Sequence, residues 1–197
     1  MLIRQAQIED REAVNFVCLN TGDSGNDAST QFNFKDMLGD LYAAPYLESD
    51  PDFSFVLEDQ GTIKGYVLGT LDSNKFAKFA NEDYLPRIRA KYQKYENDFT
   101  QIEKDLWKEI LRDYEMSNEI LKKYPSHLHI DLLPEMQGKG HGTKLMNLLL
   151  EQFKKFNSPG VHLGLAASNL RAFSFYEKMG FSTLSKSPEV IFMGKSL

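Results

Sequence analysis

The stretch HLHIDLLPEMQGKGHGTKL, His127 to Leu145, constrains this chain more than any other. It begins with the polar–apolar alternation of a half-buried strand, breaks at Pro134, and runs into an apolar segment of helical period. Between them stand Gly138, Gly140 and Gly142, on alternate positions, with Lys139 among them. Lacking a Cβ, such a run can turn successive N–H groups toward one point and approach a ligand closely. The helix that follows adds unpaired N–H donors and the positive end of its dipole. Together these make a site for an anion, most naturally a phosphate or pyrophosphate.

Two common phosphate loops do not fit. A Walker loop needs GxxxxGK[ST], which is absent, and the dinucleotide pattern GxGxxG fails because Thr143 stands where the third glycine belongs. Any one of these glycines alone would read as an ordinary strand or helix terminator. Three together with a lysine, at a strand-to-helix junction, point to a ligand loop.

The rest of the chain reads as β-α-α-β-β-(helical insert)-β-α-β-α-β-β. Leu2 to Arg4 predict a first strand, and Ala13, Val14, Val17 and Cys18 recur at helical spacing. TGDSGNDAST, Thr21 to Thr30, breaks that helix and resembles a calcium loop only superficially. Ala28 occupies the glycine position and Phe34 the place of the bidentate glutamate. A second helix is expected to end before Pro45. PDFSFVLEDQGTIKGYVLGTLD carries the signature of a hairpin turning at Asp59-Gln60-Gly61. About residues 72–125 form a charged, aromatic, helical insertion with Phe99, Ile102, Leu106, Ile110 and Tyr114 as its expected apolar stripe. The insertion is either a helical hairpin with a solvated charged face, or a lid or subunit contact for a binding cleft. Further on, Ser168 is the expected cap of a helix from Asn169 to Met179, and Gly180 its terminator.

At 197 residues the expected organisation is one domain, and a net charge of -5 argues against binding nucleic acid by phosphate neutralisation. Cys18 is the only cysteine, so no intrachain disulfide forms, and its apolar neighbours imply a buried thiol. The acidic N-terminal segment does not read as a signal peptide, and no run approaches the roughly 18 apolar residues of a membrane span. A cytoplasmic protein with no membrane and no nucleic-acid partner is the expectation.

Gln137-x-x-Gly140-x-Gly142 resembles the Q/R-x-x-G-x-G/A motif of the GNAT superfamily of N-acetyltransferases, and NLRAFSFYEKMGF, Asn169 to Phe181, resembles that family's N-x-x-A-x-x-x-Y-x-x-x-G-F segment. The resemblance covers the whole chain except the insertion. The insertion and HLHIDLLPE are also similar to the acetyltransferase-like domains related to the C-terminal part of O-GlcNAcases. The resemblance implies an α/β (α+β) fold, a single domain whose mixed, mostly antiparallel sheet is flanked by helices, with the insertion between strands 3 and 4. It further implies acetyl-CoA as co-substrate and an amine as acceptor. The pyrophosphate would lie on Gln137, Gly138, Lys139, Gly140, His141, Gly142 and Thr143. The pantetheine arm would lie along a bulged fourth strand at Leu132 and Leu133, with the Leu133 N–H polarising the thioester carbonyl; Asn169 would hold a water or a cofactor amide, and Phe173 would be a further cofactor-binding residue. Tyr176 would be the general acid at the sulfur; without the resemblance, Tyr176 and Phe173, three apart, read as core partners.

Acetyl transfer also needs a neutral amine, since a lysine-like amine is mostly charged at neutral pH. His127, His129 and Asp131 share one face of a strand, and histidine titrates near neutrality. His129 is placed first as base, then Asp131, then His127. Two histidines at that spacing could share a metal, but no cysteine cluster or HExxH accompanies them, so none is expected. The alternative to an enzyme is a non-catalytic acyl-CoA-binding module. A homodimer is compatible with either reading.

Overall fold

A computed structural model describes residues 1–197. Strands β1 (Leu2–Gln5), β2 (Ser54–Asp59), β3 (Thr62–Thr70), β4 (Ser126–Leu132), β5 (Gly160–Ala166), β6 (Ser182–Lys186) and β7 (Val190–Ser196) form one sheet, ordered β1-β2-β3-β4-β5-β7-β6. Every neighbouring pair is antiparallel except β4 and β5. Helices α1 (Arg11–Leu19), α2 (Met37–Tyr42) and α3 (Ala44–Ser49) precede β2. The insertion between β3 and β4 holds α4 (Ser73–Phe79), α5 (Leu85–Tyr92), α6 (Gln101–Leu111) and α7 (Asn118–Lys123). Helix α8 (His141–Lys155) follows β4, and α9 (Leu170–Lys178) follows β5.

The expected fold is found, with local corrections. The second helix ends at Tyr42, before Pro45, as expected; a further short helix not expected from sequence follows, with Pro45 in the first turn of α3, where a missing N–H costs no hydrogen bond. The cap of α9 is Asn169, not Ser168: its Oδ1 accepts the Ala172 N–H at 3.0 Å. Gly180 terminates that helix in the left-handed region, as expected.

Each sheet face buries its own cluster. Leu145, Met146, Leu149, Leu150 and Phe153 recur at helical spacing on α8 and pack against Val67, Leu128 and Leu163. On the other face Val14, Val17 and Cys18 of α1 meet Val56, Tyr66 and Leu68. Burial pushes the Cys18 thiol far above its ordinary range, so it is inert as a nucleophile. No helix is long and apolar enough to cross a membrane.

The insertion is docked on the N-terminal helices rather than standing free. Tyr84, Ile88, Tyr92, Phe99, Trp107 and Ile110 share a third cluster with Leu19, Phe32 and Met37. The expected stripe was partly misplaced: Ile102 is exposed, and Tyr114 lies beyond the end of α6. Trp107 and Glu103 are buried instead. Glu103 closes a capping box with Thr100 and accepts the Phe34 N–H at 2.6 Å, joining the start of α6 to the segment before α2.

Asp40 on α2 fastens the insertion. Its buried carboxylate accepts hydrogen bonds from Arg11 (2.9 Å), Lys91 (2.6 Å) and the Tyr92 hydroxyl (2.7 Å), tying α1, α2 and α5 together. Burial alone would raise its pKa, but the bonds from Lys91, Arg11 and Tyr92 outweigh it and hold the carboxyl below the ordinary value. Asp40→Ala is expected to lower the unfolding free energy by about 3–5 kcal/mol in urea titrations. The contribution is present above the unfolded-state pKa, about 4, and is lost as pH falls through the lower folded-state value. The wild type should therefore show an acid-induced loss that the variant lacks.

Candidate active site

Strands β4 and β5 are paired only at Ser126↔Val161 and His127↔His162. Beyond that point β4 continues along β3 to Leu132, and β5 continues along β7 to Ala166. The two strands part, opening a gap at their C-terminal ends. No bulge interrupts β4 against β3, contrary to expectation, so divergence alone makes the gap. The Leu133 N–H donates to the Lys64 carbonyl at 2.9 Å and is not free to polarise a thioester. By the alternation of an antiparallel ladder, odd-numbered N–H groups of β4 face β3, while those of Ile130 and Leu132 turn toward the gap.

A cavity of about 830 Å³ occupies the gap and the loop beyond it. Gly138 and Gly140 have positive φ, 69° and 81°, which a side chain would strain. Gly140 is the N-cap of α8. No protein group accepts the N–H groups of Gly138 through Thr143, so six donors stand ready for an anion at a helix N-terminus. Gly142 serves packing as well: a Cβ there would lie 3.3 Å from the Leu132 side chain. These features fit a pyrophosphate.

Gln137 braces the loop without facing a ligand through its whole amide. Its Nε2 donates to the Leu132 carbonyl (2.7 Å) and the Gly25 carbonyl (3.2 Å), and its Oε1 accepts from Arg171 (2.6 Å). Arg171 also donates to the Ser24 carbonyl at 3.3 Å. The Thr21 to Thr30 segment is thereby clasped to the cleft's edge.

On the sheet face toward α2, His129 and Asp131 form a pair. His129 Nδ1 is 2.8 Å from the Tyr42 carbonyl, so it carries a proton and donates there. Its Nε2 lies 3.2 Å from Asp131 Oδ2, which also accepts the Tyr66 hydroxyl at 2.6 Å. Burial would lower the His129 pKa, but the Asp131 charge, its hydrogen bond and the Tyr42 carbonyl outweigh it and hold the imidazole above its usual 6.5. Across the cleft Tyr176 is buried, flanked by Phe175 and Phe181. Burial, then the nearby Asp131 charge, push its phenol above the ordinary range, so it holds its proton at neutral pH.

His127 behaves differently. The Ser73 hydroxyl donates to the Pro125 carbonyl at 2.6 Å, so it accepts from His127 Nδ1 at 2.7 Å. That leaves His127 Nε2 to accept from the Tyr114 hydroxyl at 3.3 Å. Burial, reinforced by His162 and His129, drives its pKa well below 6.5. Both histidines also border a second cavity of about 390 Å³, walled by α2–α3, the insertion and the paired ends of β4 and β5. The two cavities share Tyr42, His129, Gly164 and Phe192.

Of the residues singled out from sequence, Leu132, Gln137, Gly138, Gly140, Gly142, Thr143, Asn169, Tyr176, His129 and Asp131 line the larger cleft. Lys139 on the loop and His141 at the start of α8 do not line the cleft, Leu133 is turned into the core, and Phe173, half-buried on α9, packs against the core cluster of α8. Sequence reading missed Arg171, Phe175, Tyr42 and Phe192. Arg171 carried a signal: a cation in the first turn of α9, beside an anion loop.

Comparison with known proteins agrees with this geometry. Residues 24–181 match the Acetyltransferase (GNAT) family. Protein O-GlcNAcase of Rattus norvegicus is 27% identical over 198 residues, covering 96% of this chain and 21% of the relative, so the chain spans about a fifth of that protein. The crystal structure of SsHAT superposes with a TM-score of 0.85 at 30% identity, over 99% of this chain and 97% of that one. The PaiA N-acetyltransferase of Thermoplasma acidophilum, solved in complex with coenzyme A, has a TM-score of 0.56 at 15% identity, covering 100% and 98%, a likeness of fold. With the family match extending across most of the sheet and through the N–H-lined loop, this chain belongs to the GNAT family of acetyltransferases.

Proposed function

We propose that the chain transfers an acetyl group from acetyl-CoA to a primary amine by direct attack. The observation that carries this reading is the meeting of two cavities at the β4/β5 gap, around His129, Tyr42, Gly164 and Phe192. One cavity has the donors for a pyrophosphate; the other reaches the same point from the far side. Two reactants entering separately would be held against each other there, the chief advantage of positioning.

Acetyl-CoA, when bound, supplies the acetyl group as an activated thioester. The N–H groups from Gly138 to Thr143 hold its pyrophosphate, and those of Ile130 and Leu132 face the gap as donors for a polarised carbonyl. Tyr176, kept protonated by its surroundings, provides a proton for the leaving sulfur. The amine's proton goes to the His129–Asp131 pair. Both His129 nitrogens face acceptors, the Tyr42 carbonyl and the Asp131 carboxylate, so we assign the Asp131 carboxylate as the proton acceptor of the pair and His129 as the group that positions it. The sequence order of base candidates is thus revised, Asp131 before His129, with His127 removed to the wall of the second cavity.

The first experiment is calorimetric titration with acetyl-CoA of the wild type and Gly140→Val. Binding by the wild type that the folded variant loses supports the reading; no binding by either removes it. Tyr176→Phe is expected to lower kcat by about 10²-fold or more with acetyl-CoA affinity nearly unchanged. Unchanged turnover would return Tyr176 to packing. Binding without coenzyme A release across a broad amine panel would make the chain an acyl-CoA-binding module.

Asp131→Asn tests the proton path. Without the carboxylate, burial acts on His129 against the Tyr42 carbonyl alone, and its pKa should fall clearly below the wild-type value in an NMR titration. The raised value contributes stability that is complete below about 6.5 and is lost as pH rises through the folded-state pKa. That loss should be absent in Asp131→Asn. A His129 pKa that stays raised would break the assignment.

A further inference from the structure

The second cavity carries more than a place for an amine. Its walls carry many rings, among them Tyr46, Phe76, Tyr114 and Phe192, and at about 390 Å³ it falls in the lower range of small-ligand pockets. Its rim from the insertion holds Glu109, Asp113 and Glu115 against the single cation Arg112. A cation is favoured on approach.

At the opposite end from the gap, β4 and β5 are still paired, and His162 lies there beside His127, ring centroids 5.5 Å apart. His162 is only 1% exposed. Its Nδ1 donates to the Tyr124 carbonyl at 2.7 Å, which leaves Nε2 as a lone-pair acceptor with no partner in the protein. An unpaired buried acceptor costs free energy, and the ring bearing it forms part of the cavity wall. His127 cannot relieve it, because its own proton goes to Ser73 and its Nε2 is taken by Tyr114.

The gap between His129 and Gly164 and the paired His127 and His162 are two residues apart along the strands, about 7 Å. A ligand that spans the cavity bridges these two rows, a length on the order of one ring with a short arm. We propose that this cavity binds the acceptor as a small primary amine whose apolar body lies between the rings and whose far end carries a hydrogen-bond donor received by His162 Nε2. The identification of this cavity as the acceptor side rests on the acetyltransfer reading above; the ligand class rests on the cavity itself.

The test is binding without acetyl-CoA, on the full chain labelled with ¹⁵N in its imidazole rings, of which there are four. The probes are tyramine, with a phenolic donor opposite its amine, and 2-phenylethylamine, which lacks it. Tyramine is expected to bind at least about tenfold more tightly and to shift the His162 Nε2 resonance, which 2-phenylethylamine leaves in place. His162→Phe should bring the two affinities together; should that variant not fold, the wild-type comparison and its resonance decide alone. Equal affinities, a bound tyramine that leaves His162 unmoved, or no binding by either amine overturns the inference. A chain that acetylates a lysine peptide but binds neither amine keeps the acetyltransfer reading and loses this one. Donor-dependent binding at His162 without coenzyme A release does the reverse.

Discussion

The parting of β4 from β5 after two residue pairs is the constraint on which the site depends. Parallel strands held together along their length would fill their hydrogen bonds with each other. Here β4 satisfies one edge fully with β3 and leaves the other edge open beyond His127. The open edge supplies the N–H groups of Ile130 and Leu132, and the loop after it supplies six more from Gly138 to Thr143. A buried backbone group without a partner is costly, so such an edge persists where a ligand or water completes it. The same divergence lets Tyr176 from one side and His129 from the other face one space.

What keeps the gap open is packing at some distance from it. Helix α8 fills one sheet face, and α1 to α3 with the insertion fill the other. The insertion meets the N-terminal helices through an aromatic cluster and through the Asp40 carboxylate, whose partners come from α1 and α5. Because the Tyr42 carbonyl holds His129 Nδ1, the position of α2 sets the orientation of the imidazole. Asp40 lies two residues before Tyr42 in the same helix, so one charge network couples the insertion's docking to the geometry of the proposed proton acceptor.

The parts of this site written in local pattern were legible beforehand. Alternation marked β4, glycine spacing marked the anion loop, and helical period marked α8, because each depends on neighbours a few residues away. What was missed depends on distant partners. Strand alternation shows that Leu132 and Leu133 point oppositely, but which N–H faces the gap depends on β4 pairing with β3 as it does. The stripe ending in Tyr114 assumed a helix that runs to it; α6 ends at Leu111, and Tyr114 turns instead toward His127. Tyr42, Phe192 and Arg171 come from three separate elements, and only the sheet order brings them to one cleft.

The three strand histidines illustrate why residue type and spacing are not enough to assign chemistry. His127, His129 and His162 all border one cavity. His129 faces a carboxylate, and the imidazole is stabilised in its charged form. His127 faces a hydroxyl on each nitrogen, so no anion offsets its burial, and it stays neutral. His162 has a carbonyl on one nitrogen and nothing on the other; burial lowers its pKa, and the Tyr124 and Ser126 carbonyls only partly oppose it. The result is a gradient along a few residues of strand, from an end at the gap where positive charge on the ring is favoured to an end where it is disfavoured and a lone pair lacks a partner. In the proposed reading the reacting amine lies at the gap end, where the Asp131 carboxylate is within reach of His129. A hydrogen-bond donor at the other end has a lone pair waiting. The polarity of the cavity therefore orients its ligand before any specific contact with the acetyl group is made.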